Sequence, residues 1–125
     1  MTVLFVAVAL LTIAVVVGTC LALWHLRTTD GGASGPPAIM GLLHGIIGAI
    51  GFGVLLLVLR GPARGVAAGV GSFGTTAALL FGAALVTGIA VLLRRQRVPA
   101  VLIAIHSGFA ITGYVLLLAW NSLGS

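Results

Sequence analysis

The sequence predicts an all-α integral membrane protein: an up-down-up-down four-helix bundle made of two tandem helical hairpins. Three observations predict it. Of 125 residues, 61% are hydrophobic and only 6% are charged, against about 25% charged in an ordinary soluble domain. The apolar residues fall into four segments, each long enough to cross the roughly 30 Å of a bilayer core as helix. And the chain repeats itself. Pro37, Ala38, His44, Gly51 and Phe52 recur at a single offset of 62 as Pro99, Ala100, His106, Gly113 and Tyr114.

The spans are expected at about 2–26, 38–59, 66–93 and 99–120, together one transmembrane domain covering 1–125. Residues 1–26 lack a basic leading region, and their apolar run is too long for a signal peptide, so they are expected to stay as the first helix. A polar stretch with Asp30, Gly31, Gly32, Ser34 and Gly35 follows. Pro37 and Pro99 suit the first turns of helices two and four, where a missing N–H costs no hydrogen bond. Gly61-Pro62-Ala63-Arg64 reads as a tight turn, and Arg94-Arg95-Gln96-Arg97 as a charged one. Short connections make successive helices antiparallel neighbours. At a second offset, 70, Val16, Gly18 and Arg27 match Val86, Gly88 and Arg97, which extends the repeat to helices one and three. The glycines of the third segment, Gly65, Gly69, Gly74, Gly82 and Gly88, read as sites of close helix approach.

The net charge of +5 comes from six arginines against one aspartate. All six fall near helix ends, so the basic balance speaks of membrane topology and not of nucleic-acid binding. Arg27, Arg94, Arg95 and Arg97 share one side, and Arg60 and Arg64 the other. By the positive-inside rule the four-arginine side is expected to be cytoplasmic and both termini outside, as in a multi-pass protein of the cell (inner) membrane. Trp24 and Trp120 fall where interfacial belt residues would. Without intramembrane carboxylates, a proton pump or cation transporter is disfavoured. No acidic partner serves Ser72 or Ser107 for a hydrolytic triad, and the glycines are spread through helices and form no phosphate loop. The one cysteine, Cys20, has no partner for an internal disulfide.

His44 and His106 carry the functional reading. Each lies seven residues after its proline, about 10 Å along a helix that starts at the arginine-rich side. Helices two and four are diagonal in a four-helix ring. Two imidazoles at one depth across that diagonal suit a shared ligand, above all one haem b held by both histidines. Gly48 and Gly51, with Ala110 and Gly113 at the matching places, leave room on the faces of the two histidines for a flat macrocycle. Gly45 and Ser107 are small neighbours, and Phe52 and Tyr114 would pack on its edge. Arg27, Arg94, Arg95 and Arg97 are the cations able to pair with its propionates. Bis-histidine ligation leaves no open iron position, which favours electron transfer.

Other readings compete. Buried histidines also serve as hydrogen-bond bridges between helices, with Thr75, Thr76 and Thr87 as available partners. That would suit a non-catalytic anchor or assembly subunit of a larger membrane complex. His25, beside Trp24 and Arg27, reads as an interfacial residue. If it reached the other two histidines, the three would make a copper or zinc site and the chain a metal carrier. No fourth histidine exists for a second bis-histidine haem.

On the two histidines, their small neighbours and the four short-looped helices, the chain resembles the cytochrome b561-like membrane cytochromes. The resemblance implies haem b between histidines of a four-helix bundle, and electron exchange with a quinone, an oxygen species or a redox partner protein. Many relatives use four histidines for two haems. This chain offers one pair near one face, so it implies a single haem and no haem chain across the bilayer. Nothing in the sequence specifies an enzymatic substrate, and association of several copies is compatible with it.

Overall fold

The computed structural model describes residues 2–29, 35–94 and 98–124. Those residues form four helices in chain order: α1 (Thr2–Thr29), α2 (Ala38–Leu59), α3 (Phe73–Leu93) and α4 (Ala100–Leu123). Each is long and apolar enough to span a membrane. The backbone satisfies its own polar groups within each helix, as hydrocarbon requires. The side-chain hydroxyls of Thr12, Thr19, Thr87 and Ser122 turn back to carbonyls one turn earlier in the same helix. No charged or polar residue is buried among the described residues.

The helices close a ring in which α1 meets α2 and α4, and α3 meets α2 and α4. The most extensive contacts lie within the pairs α1–α2 and α3–α4, the two hairpins. Their antiparallel run is visible residue by residue. Leu11 packs at Gly51, Ala14 at Gly48 and Gly18 at His44. In the second hairpin Trp120 packs at Gly74, Phe81 at Gly113 and His106 at Gly88. Both offsets read from the sequence therefore reappear as one spatial repeat: Leu11, Ala14 and Gly18 correspond to Phe81, Ala84 and Gly88.

The buried positions follow the same rule. On α1 they are Leu4, Ala7, Leu11 and Ala14, and on α3 Gly74, Ala77, Phe81 and Ala84, with Ala78 beside them. Steps of three, four and three are the seam of a left-handed helical bundle. Leu55 and Leu117, also matched at 62, are fully buried. Helix association in lipid gains little from hydrophobicity and depends on close packing. Alanine and glycine at the seam let the backbones approach, and leucine and phenylalanine fill the layers between.

This closed core occupies only the half of the bundle toward the 60–72 connection. Past Ala14 and Ala84 on the odd helices, and before Gly51 and Gly113 on the even ones, Ile103 is the one buried residue among those described. The arginine-rich half is loosely packed.

Four expectations need correction. α3 starts at Phe73 and not near residue 66. Residues 66–69 and 71–72 are turns, with Gly65 and Gly69 at φ of 70° and 72°, a conformation that favours glycine. These two glycines shape the connection and are not helix-packing sites. Trp120 is no belt residue. It is 3% exposed, its indole lies against Gly74, and its N–H donates to the carbonyl of Arg64 at 3.4 Å. Trp24 is exposed. Pro37 and Pro99 stand one place before the helices, as N-caps, and their carbonyls accept from Met40 and Leu102.

Leu117→Ala, at a site with no room to collapse, is expected to lower stability by about 2–5 kcal/mol. Val86→Ala, on the outward face, should stay within about 0.5 kcal/mol. Reversible unfolding in mixed micelles checks both, and equal effects would contradict the packing described.

Candidate functional site

His44 on α2 and His106 on α4 face each other across the diagonal of the ring. Their ring centroids are 6.1 Å apart and the planes stand at 84°. The backbones of α2 and α4 stay more than 8 Å apart, and the two imidazoles reach across the centre between them. They lie at the boundary between the closed core and the open half.

Each ring is held from behind by the other helix of its own hairpin. The absence of a side chain at Gly18 admits His44: a Cβ there would stand 2.6 Å from His44 Cε1. Gly88 admits His106 in the same way, with 3.0 Å to Cε1. His106 Nδ1 lies 2.8 Å from the carbonyl oxygen of Ala84. A carbonyl only accepts, so Nδ1 carries the proton and donates. In the neutral imidazole this leaves Nε2 as a bare lone pair. Thr87 Oγ1 stands 3.3 Å from the same Nδ1. The matching carbonyl for His44 is that of Ala14, but it falls outside hydrogen-bond geometry, and the buried Nδ1 of His44 has no hydrogen-bond partner.

The glycines expected to clear space for a flat ligand divide into two groups. Gly51 and Gly113 lie in hairpin contacts, against Leu10 and Leu11 and against Leu80, Phe81 and the Ala77 carbonyl. The room they leave is taken by the neighbouring helix. Gly48 has ordinary contact with Ala14 Cβ at 3.8 Å, and Ala110 is half-buried. Gly41 and Gly45, one turn before and one residue after His44, are half-buried, yet a Cβ on either would meet nothing within 4 Å. Phe52 and Tyr114 pack against the closed core. Phe52 reaches Gly82, and Tyr114 OH lies 2.7 Å from Thr12 Oγ1. These are again matched positions, apolar on one side of the ring and polar on the other.

Arg27 and Arg94 are exposed at the ends of α1 and α3 on the open side. Arg95 and Arg97 lie outside the described residues. His25 does not join the pair: no group of three histidine, cysteine or acidic residues fit to hold a metal exists among the described residues. The three-histidine copper or zinc site is therefore not formed. Two shallow surface depressions, one along Cys20, Leu23, Trp24 and Arg27 and one along Ala38, Ile39, Leu42 and Leu92, include neither His44 nor His106.

The residues that position the rings, Ala14, Gly18, Ala84, Thr87 and Gly88, are the part sequence reasoning underused. Their signal was the weaker repeat at offset 70, which places Gly18 and Gly88 in equivalent roles. No protein-family model, no curated protein and no solved structure matches the chain.

Gly18→Ala is expected to displace the His44 ring more than Gly88→Ala displaces His106, because its clearance is the smaller of the two. Imidazole ring shifts in NMR spectra of the two variants check the order.

Proposed function

We propose that the chain is a membrane-embedded b-type cytochrome that holds one haem between His44 and His106 and passes electrons to or from a quinone, an oxygen species or a partner protein. One observation carries this reading: the 6.1 Å separation of the two ring centres. Two metal–nitrogen bonds of about 2 Å each, with roughly 1 Å more from each nitrogen to its ring centre, span about 6 Å. The backbone bond at His106 Nδ1 supports it further. Metal-bound histidines characteristically donate their other N–H to a carbonyl or carboxylate, which fixes the tautomer and raises the basicity of the ligating nitrogen.

The surroundings fit the same group. The rings belong to different hairpins, so a plate between them would lie in the seam where the hairpins meet. That seam is tight in the closed half and loose in the arginine-rich half. Haem iron supplies one-electron redox chemistry, while the protein sets ligation, polarity and access. His44 and His106 bind. Leu11, Ala14, Phe81 and Ala84 keep water from the closed side. Arg27 and Arg94 are the described cations suited to the propionates on the open side. The excess of arginine there supports a cytoplasmic placement of that side, with both termini opposite.

A purely structural role, as in an anchor subunit, accounts for His106 with its bonds to Ala84 and Thr87. It does not account for two rings, each seated on one glycine, Gly18 for His44 and Gly88 for His106, meeting across the centre at one depth. Under that role the protein would be colourless and would co-purify with larger partners.

Detergent-purified protein is expected to be red, with a low-spin b-type spectrum that sharpens on reduction with dithionite. His44→Ala and His106→Ala should each abolish the low-spin spectrum, while Thr12→Val should leave it intact. A colourless protein after haem reconstitution, or a low-spin spectrum surviving either histidine variant, would overturn the assignment.

A further inference from the structure

The two hairpins repeat each other closely enough that a difference between them carries information. Ala14 and Ala84, Gly18 and Gly88, and His44 and His106 are matched in sequence and in place. Thr87 breaks the match, because its counterpart at offset 70 is Val17. His106 Nδ1 consequently has two oxygen atoms within reach, the Ala84 carbonyl at 2.8 Å and Thr87 Oγ1 at 3.3 Å. His44 Nδ1 has none in hydrogen-bond geometry.

A second difference is independent of the first. One turn before His106 stands Ile103, buried at 8% exposure. One turn before His44 stands Gly41, and directly after it Gly45, and at both a side chain would find open space. One imidazole is tied at its back and has a buried side chain one turn before it. The other has no hydrogen bond at Nδ1 and a glycine at the matching place.

We infer that His106 is the anchored ligand and His44 the exchangeable one, with Thr87 as the positioning residue, so that an added ligand competes for the metal on the His44 side. The inference rests on the cytochrome reading for the ligand and on the two structural differences for the asymmetry. Thr87 touches neither metal nor ligand. It acts through the His106 ring, by holding the Nδ1–H tautomer that leaves Nε2 free. On the other side, release of His44 costs no hydrogen bond at Nδ1, so a competing ligand has only the metal–nitrogen bond to displace.

Two measurements test this. In haem-free protein, nitrogen NMR of the rings should show His106 in the single Nδ1–H tautomer and His44 exchanging between both. Val17→Thr should narrow that difference by fixing His44, and Thr87→Val by loosening His106. Equal order in the two rings of the wild type, or no response to either variant, overturns the asymmetry whether or not the protein binds haem. In the haem-loaded protein, His44→Ala should keep bound haem in a high-spin form and bind carbon monoxide, while His106→Ala should lose the haem. Val17→Thr should weaken carbon monoxide binding to reduced protein by up to about tenfold, the effect of one added hydrogen bond. The reverse pattern, with haem kept by His106→Ala and lost by His44→Ala, overturns the inference while leaving bis-histidine ligation in place. A wild type that takes up no haem defeats the cytochrome reading, and the nitrogen spectra then decide the asymmetry.

Discussion

Close backbone approach within each antiparallel hairpin is the constraint on which the rest depends. In hydrocarbon there is no water to squeeze out from between helices, so they associate where small residues let many atoms touch. Ala7, Ala14, Gly48 and Gly51 do this for α1 and α2, and Gly74, Ala77, Ala84 and Gly113 for α3 and α4. The same closeness brings the backbone of α1 and α3 to the imidazoles of α2 and α4. Gly18 and Gly88 then act as seats for the rings, and the carbonyl of Ala84 becomes a hydrogen-bond acceptor. The site is a by-product of how the hairpins pack.

The division of the bundle into a closed and an open half follows from where bulk is placed. Leu4, Leu11, Leu55, Phe81, Leu117 and Trp120 fill the half near the 60–72 connection. At the level of the histidines Gly18 and Gly88 give their space to the rings, and toward the open end a side chain at Gly41 or Gly45 would meet nothing within 4 Å. Outward positions along the whole length carry large apolar side chains, among them Val16, Leu57, Leu79, Val86 and Val115, as contact with lipid requires. Among the described residues, Arg27 and Arg94 stand at the mouth of the open half, and Arg60 and Arg64 at the closed end.

Much of this was legible in the sequence. Four apolar runs of membrane length fix the number of helices, and a proline–histidine–glycine register at offset 62 fixes the equivalence of α2 and α4. The start of α3 was misread because Val66, Ala67, Ala68 and Val70 continue its apolar character. Hydropathy cannot register that Gly65 and Gly69 adopt left-handed backbone. Trp120 was misassigned because a tryptophan near a helix end looks interfacial until Gly74, 46 positions earlier, is known to receive it. The face of each glycine was the hardest part. Gly48, Gly51 and Gly113 lie on the expected side of their helices, but whether a neighbouring helix or open space stands beyond is a tertiary fact. The histidine pairing survived because its evidence was a repeated polar residue, which apolar segments do not repeat by chance as readily as valine or leucine.

The duplication also has a consequence for what such a scaffold can become. A homodimer of one hairpin sequence must place every side chain identically on both sides of its axis, and any mutation appears twice. Covalent fusion lifts that restriction. Thr87 opposite Val17, and Tyr114 with Thr12 opposite Phe52 with Gly82, are differences that such a homodimer cannot encode, so the two halves of the joined chain are free to diverge into unequal faces around a common centre.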